Sequence, residues 1–276
     1  TINDADGAAL RARLAKGGAG RATIHAAVDT GWRDTPILVC DMDAPDGDAT
    51  TPFVMLSGHH DTWYYGVMDN GAANATMMEA ARLCALHRRE WRRSLRVCFW
   101  SGHSHGRYSG STWYADEHWA ELEARCVAHV NVDSTGGIGA ENVTHTGAAS
   151  ELWGLAAEAI ATHAGQEYKG RRSGRSGDQS FWGIGIPAMF GTLSAQPASA
   201  AGMRNALGWW WHTPHDTIDK VDPANLLRDT RIVAHAVWRL LADESLPIDY
   251  ARHAAALVAE LEGIAARLGG RLDLSA

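Results

Sequence analysis

Four short segments carry residue types that bind transition metals, and each follows an apolar run. They are Ser57-Gly58-His59-His60-Asp61, Gly66-Val67-Met68-Asp69-Asn70-Gly71, Val130-Asn131-Val132-Asp133-Ser134 and Trp211-His212-Thr213-Pro214-His215-Asp216-Thr217. Imidazole and carboxylate together suit zinc, with manganese or cobalt as further occupants. One or two such ions activate a water and polarise a carbonyl oxygen, which is the chemistry of hydrolysis. Each segment alone is a weak signal: a histidine after a strand is more often structural, and Asp before Asn-Gly is ordinary turn chemistry. Their combination and order are specific.

The elements that must position these segments alternate. Apolar runs at 36–42, 53–57, 95–100, 126–132 and 188–191 predict buried strands. Helical periodicity falls at 72–87, 112–125, 150–164 and 223–243, with end helices at 6–15 and 250–268. This predicts an α/β fold with a mixed, mainly parallel central sheet sandwiched between helices and an extra C-terminal helix. Ligands in such sheets bind beyond the carboxyl ends of the strands, where the four segments fall. The chain divides into residues 1–20, a remnant of an N-terminal or insert domain, a catalytic domain at 21–246, and a helical segment at 247–276 suited to forming a homodimer.

The 276 residues carry a net charge of −7, which argues against a nucleic-acid-binding face. The basic cluster from His87 to Arg93 reads as a solvated helix end and loop. Cys40, Cys84, Cys98 and Cys126 form no close pair, so neither zinc-ribbon nor thioredoxin spacing occurs. No apolar run is long enough to span a membrane, and no signal peptide is visible. A soluble protein is expected, cytoplasmic or secreted after processing.

The motif set His-x-Asp, Asp-Asn-Gly, Asn-x-Asp-Ser and His-Thr-Pro-x-Asp-Thr resembles the co-catalytic zinc aminopeptidases and their glutamate carboxypeptidase II relatives, over residues 36–240. The resemblance implies two metals sharing a bridging carboxylate. It casts His59 and Asp133 as ligands of the first metal, Asp69 as the bridge and His212 as a ligand of the second. Asp61 resembles the carboxylate that orients a ligating imidazole.

One motif departs. Where the family carries Glu-Glu, general base then ligand, this chain reads Trp100-Ser101-Gly102-His103-Ser104-His105-Gly106-Arg107-Tyr108-Ser109-Gly110-Ser111, with one extra residue and no Glu. Counted from Trp100, the pair falls on His103 and Ser104; counted back from Gly110-Ser111, on Ser104 and His105. One histidine is expected as ligand and the other as proton carrier. The assignment taken forward places His105 with the ligands and His103 and Ser104 with the catalytic groups.

On the substrate side, Gly177-Asp178-Gln179-Ser180-Phe181 resembles a family segment beside the cleft, and Asp178 can position a substrate amine or bond a neighbouring loop. Arg171, Arg172 and Arg175 precede it and can bind a carboxylate. Trp63 and Tyr64 precede Asp69, and Trp211 precedes His212, which suggests an aromatic-walled pocket. The expected function is hydrolysis of an amide or peptide bond in a small substrate. The competing readings are a degenerate homologue kept for binding or assembly, and a single-zinc acyl-transfer or cyclase-type enzyme.

Overall fold

The computed structural model describes residues 3–18, 20–170, 177–197, 206–269 and 271. Arg171, Arg172 and Arg175 lie outside the described residues. The chain forms two compact units, Thr1–Asp34 and Thr35–Ala276. In the first, helix α1 (Asp4–Ala15) starts at Asn3, whose side chain accepts from Asp6 N at 2.8 Å.

The second unit is built on five strands: β1 (Leu38–Met42), β2 (Phe53–His59), β3 (Ser94–Trp100), β4 (Cys126–Asp133) and β5 (Ala188–Thr192), in spatial order β1-β3-β2-β4-β5. Strands β2 to β5 pair in parallel, and β1 lies antiparallel on β3 at the edge. The expected mixed, mainly parallel sheet is what the chain forms. Strand β2 is buried along its whole length, as a central parallel strand covered on both faces must be. Its side chains alternate: Val54 and Leu56 enter one apolar cluster, Phe53 and Met55 the other.

The first face is covered by α2 (Ala73–Ala85), α5 (Trp153–Ala164) and α6 (Pro223–Ala242), the second by α3 (Ser109–Glu117) and α4 (Trp119–Arg125). Helix α6 opens with an Asp222 cap accepting from Ala224 N and Asn225 N, followed by Pro223. It buries Ile232, Val233, Ala236, Val237, Leu240 and Leu241, a stripe at helical spacing. The single helix expected at 112–125 is two, because the backbone leaves helical geometry at His118.

The basic cluster is not wholly solvated. Arg93 is buried and donates to the carbonyls of Leu240 at 3.0 Å and Asp243 at 2.8 Å, neutralising the carboxyl end of α6. At the sheet edge Arg96 takes both oxygens of Asp41, its cross-strand partner on β1, and both of Glu121 on α4. Helix α7 (Tyr250–Leu268) is capped by Asp249 and has no buried residue. Arg252 on α7 lies over the Trp153 ring at 4.0 Å. No helix among the described residues is long and apolar enough to cross a membrane.

One buried polar group ties the three central strands. His129 Nε2 on β4 lies 2.6 Å from Ser57 Oγ on β2, which also accepts from Trp100 Nε1 on β3 at 2.8 Å. Burial pushes the His129 imidazole down to about 3. Unfolded, the ring titrates near 6.5, so between about pH 6.5 and 3 the unfolded chain takes up a proton that the native state refuses. Stability from this group is whole above that window and is lost as pH falls through it, by at most about 1.4 kcal/mol per pH unit. Urea unfolding measured from about pH 7 down to about pH 5 should show this slope, and His129→Gln should flatten it. An unchanged slope would remove His129 as its source.

Candidate metal centre

All four motif segments reach the carboxyl edge of the parallel strands. His59 is the last residue of β2 and Asp133 the last of β4. Asp69 lies in the tight turn Val67–Ala72 that leads into α2, and its bond to Asn70 is cis. Gly58 has to be glycine: a Cβ there would meet Val132 O at 2.6 Å and Met77 Sδ at 2.8 Å. Asn70, buried, laces the strand ends together. Its Nδ2 donates to His59 O at 3.0 Å and Val132 O at 3.3 Å, and its Oδ1 accepts from Ser134 N at 3.0 Å.

Asp216, almost fully buried, aligns the turn with the His212 segment. Its two carboxylate oxygens accept from Met68 N at 2.9 Å and Asp69 N at 3.1 Å, and its carbonyl accepts from Val67 N at 3.2 Å. Burial and the neighbouring Asp69 charge push its carboxyl up, and the amide donors hold it down; the net shift is upward.

The side chains so positioned converge. His59 Nε2 lies 3.1 Å from Asp69 Oδ1 and 3.7 Å from Asp133 Oδ1, and His212 Nε2 lies 3.0 Å from Asp69 Oδ2. Asp69 is therefore flanked by an imidazole at each oxygen. His59 Nδ1 lies 2.7 Å from the carbonyl of Asp61. A carbonyl only accepts, so Nδ1 carries the hydrogen and Nε2 faces the carboxylates. Burial pushes the His59 imidazole down, but Asp133 and Asp69 outweigh it and raise it to about 11. Burial likewise pushes Asp69 up, and His212 and His59 outweigh it, holding the carboxyl well below its usual range. The space between these groups is electrostatically a place for positive charge.

The loop after β3 is tightly turned. Gly106 N, Tyr108 N and Ser109 N all donate to Gly102 O, and Arg107 and Tyr108 adopt left-handed φ values of 51° and 69°. His103 stacks on His59 with ring centroids 3.7 Å apart, and its Nε2 lies 4.0 Å from Asp133 Oδ2. Ligand atoms of His59, His103 and Asp133 all lie within 4.8 Å of one another. His105, taken forward from the sequence as a ligand, does not join them. It is exposed and its ring packs on Trp63 at 4.7 Å.

Asp61 also differs from expectation. Its carbonyl, not its carboxylate, holds His59, and its carboxylate oxygens accept from His103 N at 3.1 Å and Ser104 N at 3.0 Å, fixing the loop. Asp178, expected either to position a substrate amine or to bond a neighbouring loop, is buried and bonds His103 Nδ1 at 2.7 Å. Asn70 and Asp216 stood within recognised motifs but had been given no role. A carboxylate or amide adjoining a predicted ligand was the available signal.

A cleft of about 640 Å³ opens over these groups. Trp63, Ser104, Arg107, Tyr108, His145 and Trp211 line it together with Asp69, His103, Asp133 and His212. Trp211 stacks on His212 at 3.6 Å. Tyr64 is exposed and lies outside the lining. Four of the lining residues, Arg107, Tyr108, Ser134 and His212, hold positive φ between 50° and 69°. Such conformations cost of order 1 kcal/mol each and cluster at functional sites.

The model of peptidase family M28 matches residues 42–237. The chain belongs to peptidase family M28. Among curated proteins, it is 27% identical over 251 residues to the probable glutamate carboxypeptidase AMP1 of Arabidopsis thaliana, covering 81% of this chain and 33% of that protein. It is 38% identical over 84 residues to the probable glutamate carboxypeptidase LAMP1 of Arabidopsis thaliana, covering 29% of this chain and 12% of that protein. Its fold is similar to that of BSAP, a zinc aminopeptidase from Bacillus subtilis, with a TM-score of 0.63, 20% identity and coverage of 76% of this chain and 51% of that one. It is also similar to the LapA aminopeptidase of Legionella pneumophila, with a TM-score of 0.60, 22% identity and coverage of 79% and 57%. The chain thus spans a third or less of these curated relatives.

Asp216→Ala removes the acceptors of two backbone amides beneath Asp69. Leaving buried donors unpaired costs about 1–3 kcal/mol each, so a loss of about 2–5 kcal/mol is expected from the denaturation midpoint. Asp216→Asn, which keeps one acceptor oxygen, should lose less. Equal stability of all three proteins would show that the clasp contributes nothing.

Proposed function

We propose that this M28 chain is a metal-dependent hydrolase of amide or peptide bonds whose zinc ligands are His59, Asp69, His103, Asp133 and His212. One observation carries the reading. His59 Nε2 and Asp69 Oδ1 are buried and 3.1 Å apart, and neither makes a well-directed hydrogen bond to any described residue, so their charge attraction is all that joins them. A buried donor or acceptor without a partner costs about 1–3 kcal/mol, and two such atoms turned to one space fit joint ligation of a cation. The donor set of imidazole and carboxylate is the one zinc prefers. A zinc ion held there supplies Lewis acidity, making a water acidic near neutrality and polarising a carbonyl oxygen.

The remaining work falls to the chain's own residues. Asp69, with an imidazole on each oxygen, fits a bridge between two ions. Ser104 Oγ is buried without a partner among the described residues, and Ser104 lines the cleft, where it can donate to a substrate oxygen. His105 packs on Trp63, which lines the cleft, and an imidazole there can carry a proton to the leaving amine. Trp63 and Trp211 give the cleft apolar walls, which favours a substrate with a bulky or aromatic group.

A second reading, a single-ion centre, is favoured by the group His59, His103 and Asp133, whose ligand atoms lie within 4.8 Å of one another and which His212 does not join. Elemental analysis of the zinc-loaded chain separates the two readings: two ions per chain are expected, one would favour the second reading, and none would end both. Chelation should abolish hydrolysis of amides of aromatic amino acids. Asp69→Ala should lower it by more than the about 10–100-fold typical of changes outside the ligand shell. Full activity of Asp69→Ala would refute the bridging role.

A further inference from the structure

We infer that Asp178 is a positioning residue that holds the His103 imidazole with Nε2 directed at the metal centre, so that an imidazole–carboxylate pair stands where the resemblance led one to expect a glutamate. This rests on the proposed role of His103 as ligand.

Asp178 follows Gly177, whose φ of 55° turns the chain so that the Asp178 carboxylate lies against the His103 ring. Its Oδ2 lies 2.7 Å from His103 Nδ1, and its Oδ1 accepts from Ser111 Oγ at 2.8 Å. Ser111 sits in the first turn of α3, and its Oγ lies 2.8 Å from Ser180 Oγ, so helix and loop both fix the carboxylate. Asp178 is 1% exposed. A buried carboxylate held on both sides cannot rotate away into water, and a carboxylate oxygen facing an imidazole nitrogen accepts from its N–H. It therefore keeps the hydrogen of His103 on Nδ1 and leaves the lone pair on Nε2.

That lone pair faces the right way. His103 Nε2 lies 4.0 Å from Asp133 Oδ2, and the ring stacks on His59 at 3.7 Å. A carboxylate behind a ligating imidazole fixes its tautomer and raises its basicity, and removing it typically lowers metal affinity about 10–100-fold. The negative charge of the missing glutamate is thus returned to the centre at one remove, through the ring of His103. His59 is held differently: its Nδ1 lies 2.7 Å from the Asp61 carbonyl and 3.9 Å from the Asp61 carboxylate, so the nearest acceptors of the two imidazoles are unlike.

The test uses the full chain, stripped of metal and titrated with zinc against a competing chelator of known affinity. Asp178→Asn should weaken zinc binding by about 10–100-fold, with the thermal midpoint of the metal-free protein unchanged. His103→Ala should weaken it as well, and adding Asp178→Asn to His103→Ala should cost no more than about a further twofold, because the carboxylate then has no ring to hold. Equal losses in both backgrounds would make Asp178 a general structural residue and overturn the inference, as would Asp178→Asn binding zinc as tightly as the parent. Should Asp178→Asn fail to fold, the parent protein decides. Loaded with cadmium-113 and labelled with nitrogen-15 histidine, it should show coupling to His103 Nε2 with the proton on Nδ1; coupling to Nδ1, or none, would overturn the inference. A parent that binds zinc while these outcomes fail leaves the hydrolase reading standing, whereas a parent that binds no zinc removes both.

Discussion

Two carboxylates brought to the edge of one buried imidazole set the problem that the rest of the molecule answers. Asp69 and Asp133 both lie within 4 Å of His59 Nε2. Like charges so close repel, and taking each out of water costs free energy. The fold holds them together from the backbone outward. Parallel strands carry His59 and Asp133 to the same edge, Asn70 laces the strand ends, and Asp216 receives the amides beneath Asp69. The result is a concentration of negative potential, which raises the affinity of His59 for its proton.

The scaffold was legible in the sequence because it is written locally. Each strand is an apolar run ended by glycine or a polar residue, and the stripe on α6 repeats at helical spacing behind an Asp-Pro start. The strand-terminal histidines and aspartates were legible for the same reason: period and position place them without knowledge of their partners. What stayed hidden depends on pairings across the chain. Asp178 and His103 stand 75 residues apart, and Asp216 and Met68 stand 148 apart. No periodicity links such pairs. The choice between His103 and His105 turned on where one surplus residue is absorbed. The loop turns through two left-handed residues, Arg107 and Tyr108, neither a glycine, and the sequence carries no signal for such a turn. Arg93 misled for a related reason: a basic run looks solvated until the carbonyls at the end of α6 arrive beside it.

The departures from the resemblance are consistent with one another. The loop that lacks the glutamate pair carries His103, and the acidic charge lies one step further out, on Asp178. Asp61, freed from orienting His59 by its own carbonyl, uses its carboxylate to anchor the same loop through the amides of His103 and Ser104. A change in one donor is thus accompanied by a rearrangement of the groups behind it, as happens when a ligand and its support are parts of one network.

The reach of Asp216 across the chain also bears on the order of events during synthesis. The turn at Val67–Asp69 has its amides satisfied only by a residue made some 148 positions later. While the ribosome is still adding the intervening helices and β5, the amino-terminal part has its strands but not its clasp. Contacts so distant in the chain form late, after the loop between them has closed. The nascent chain therefore carries His59 and Asp69 already made but not yet aligned until Asp216 has followed them.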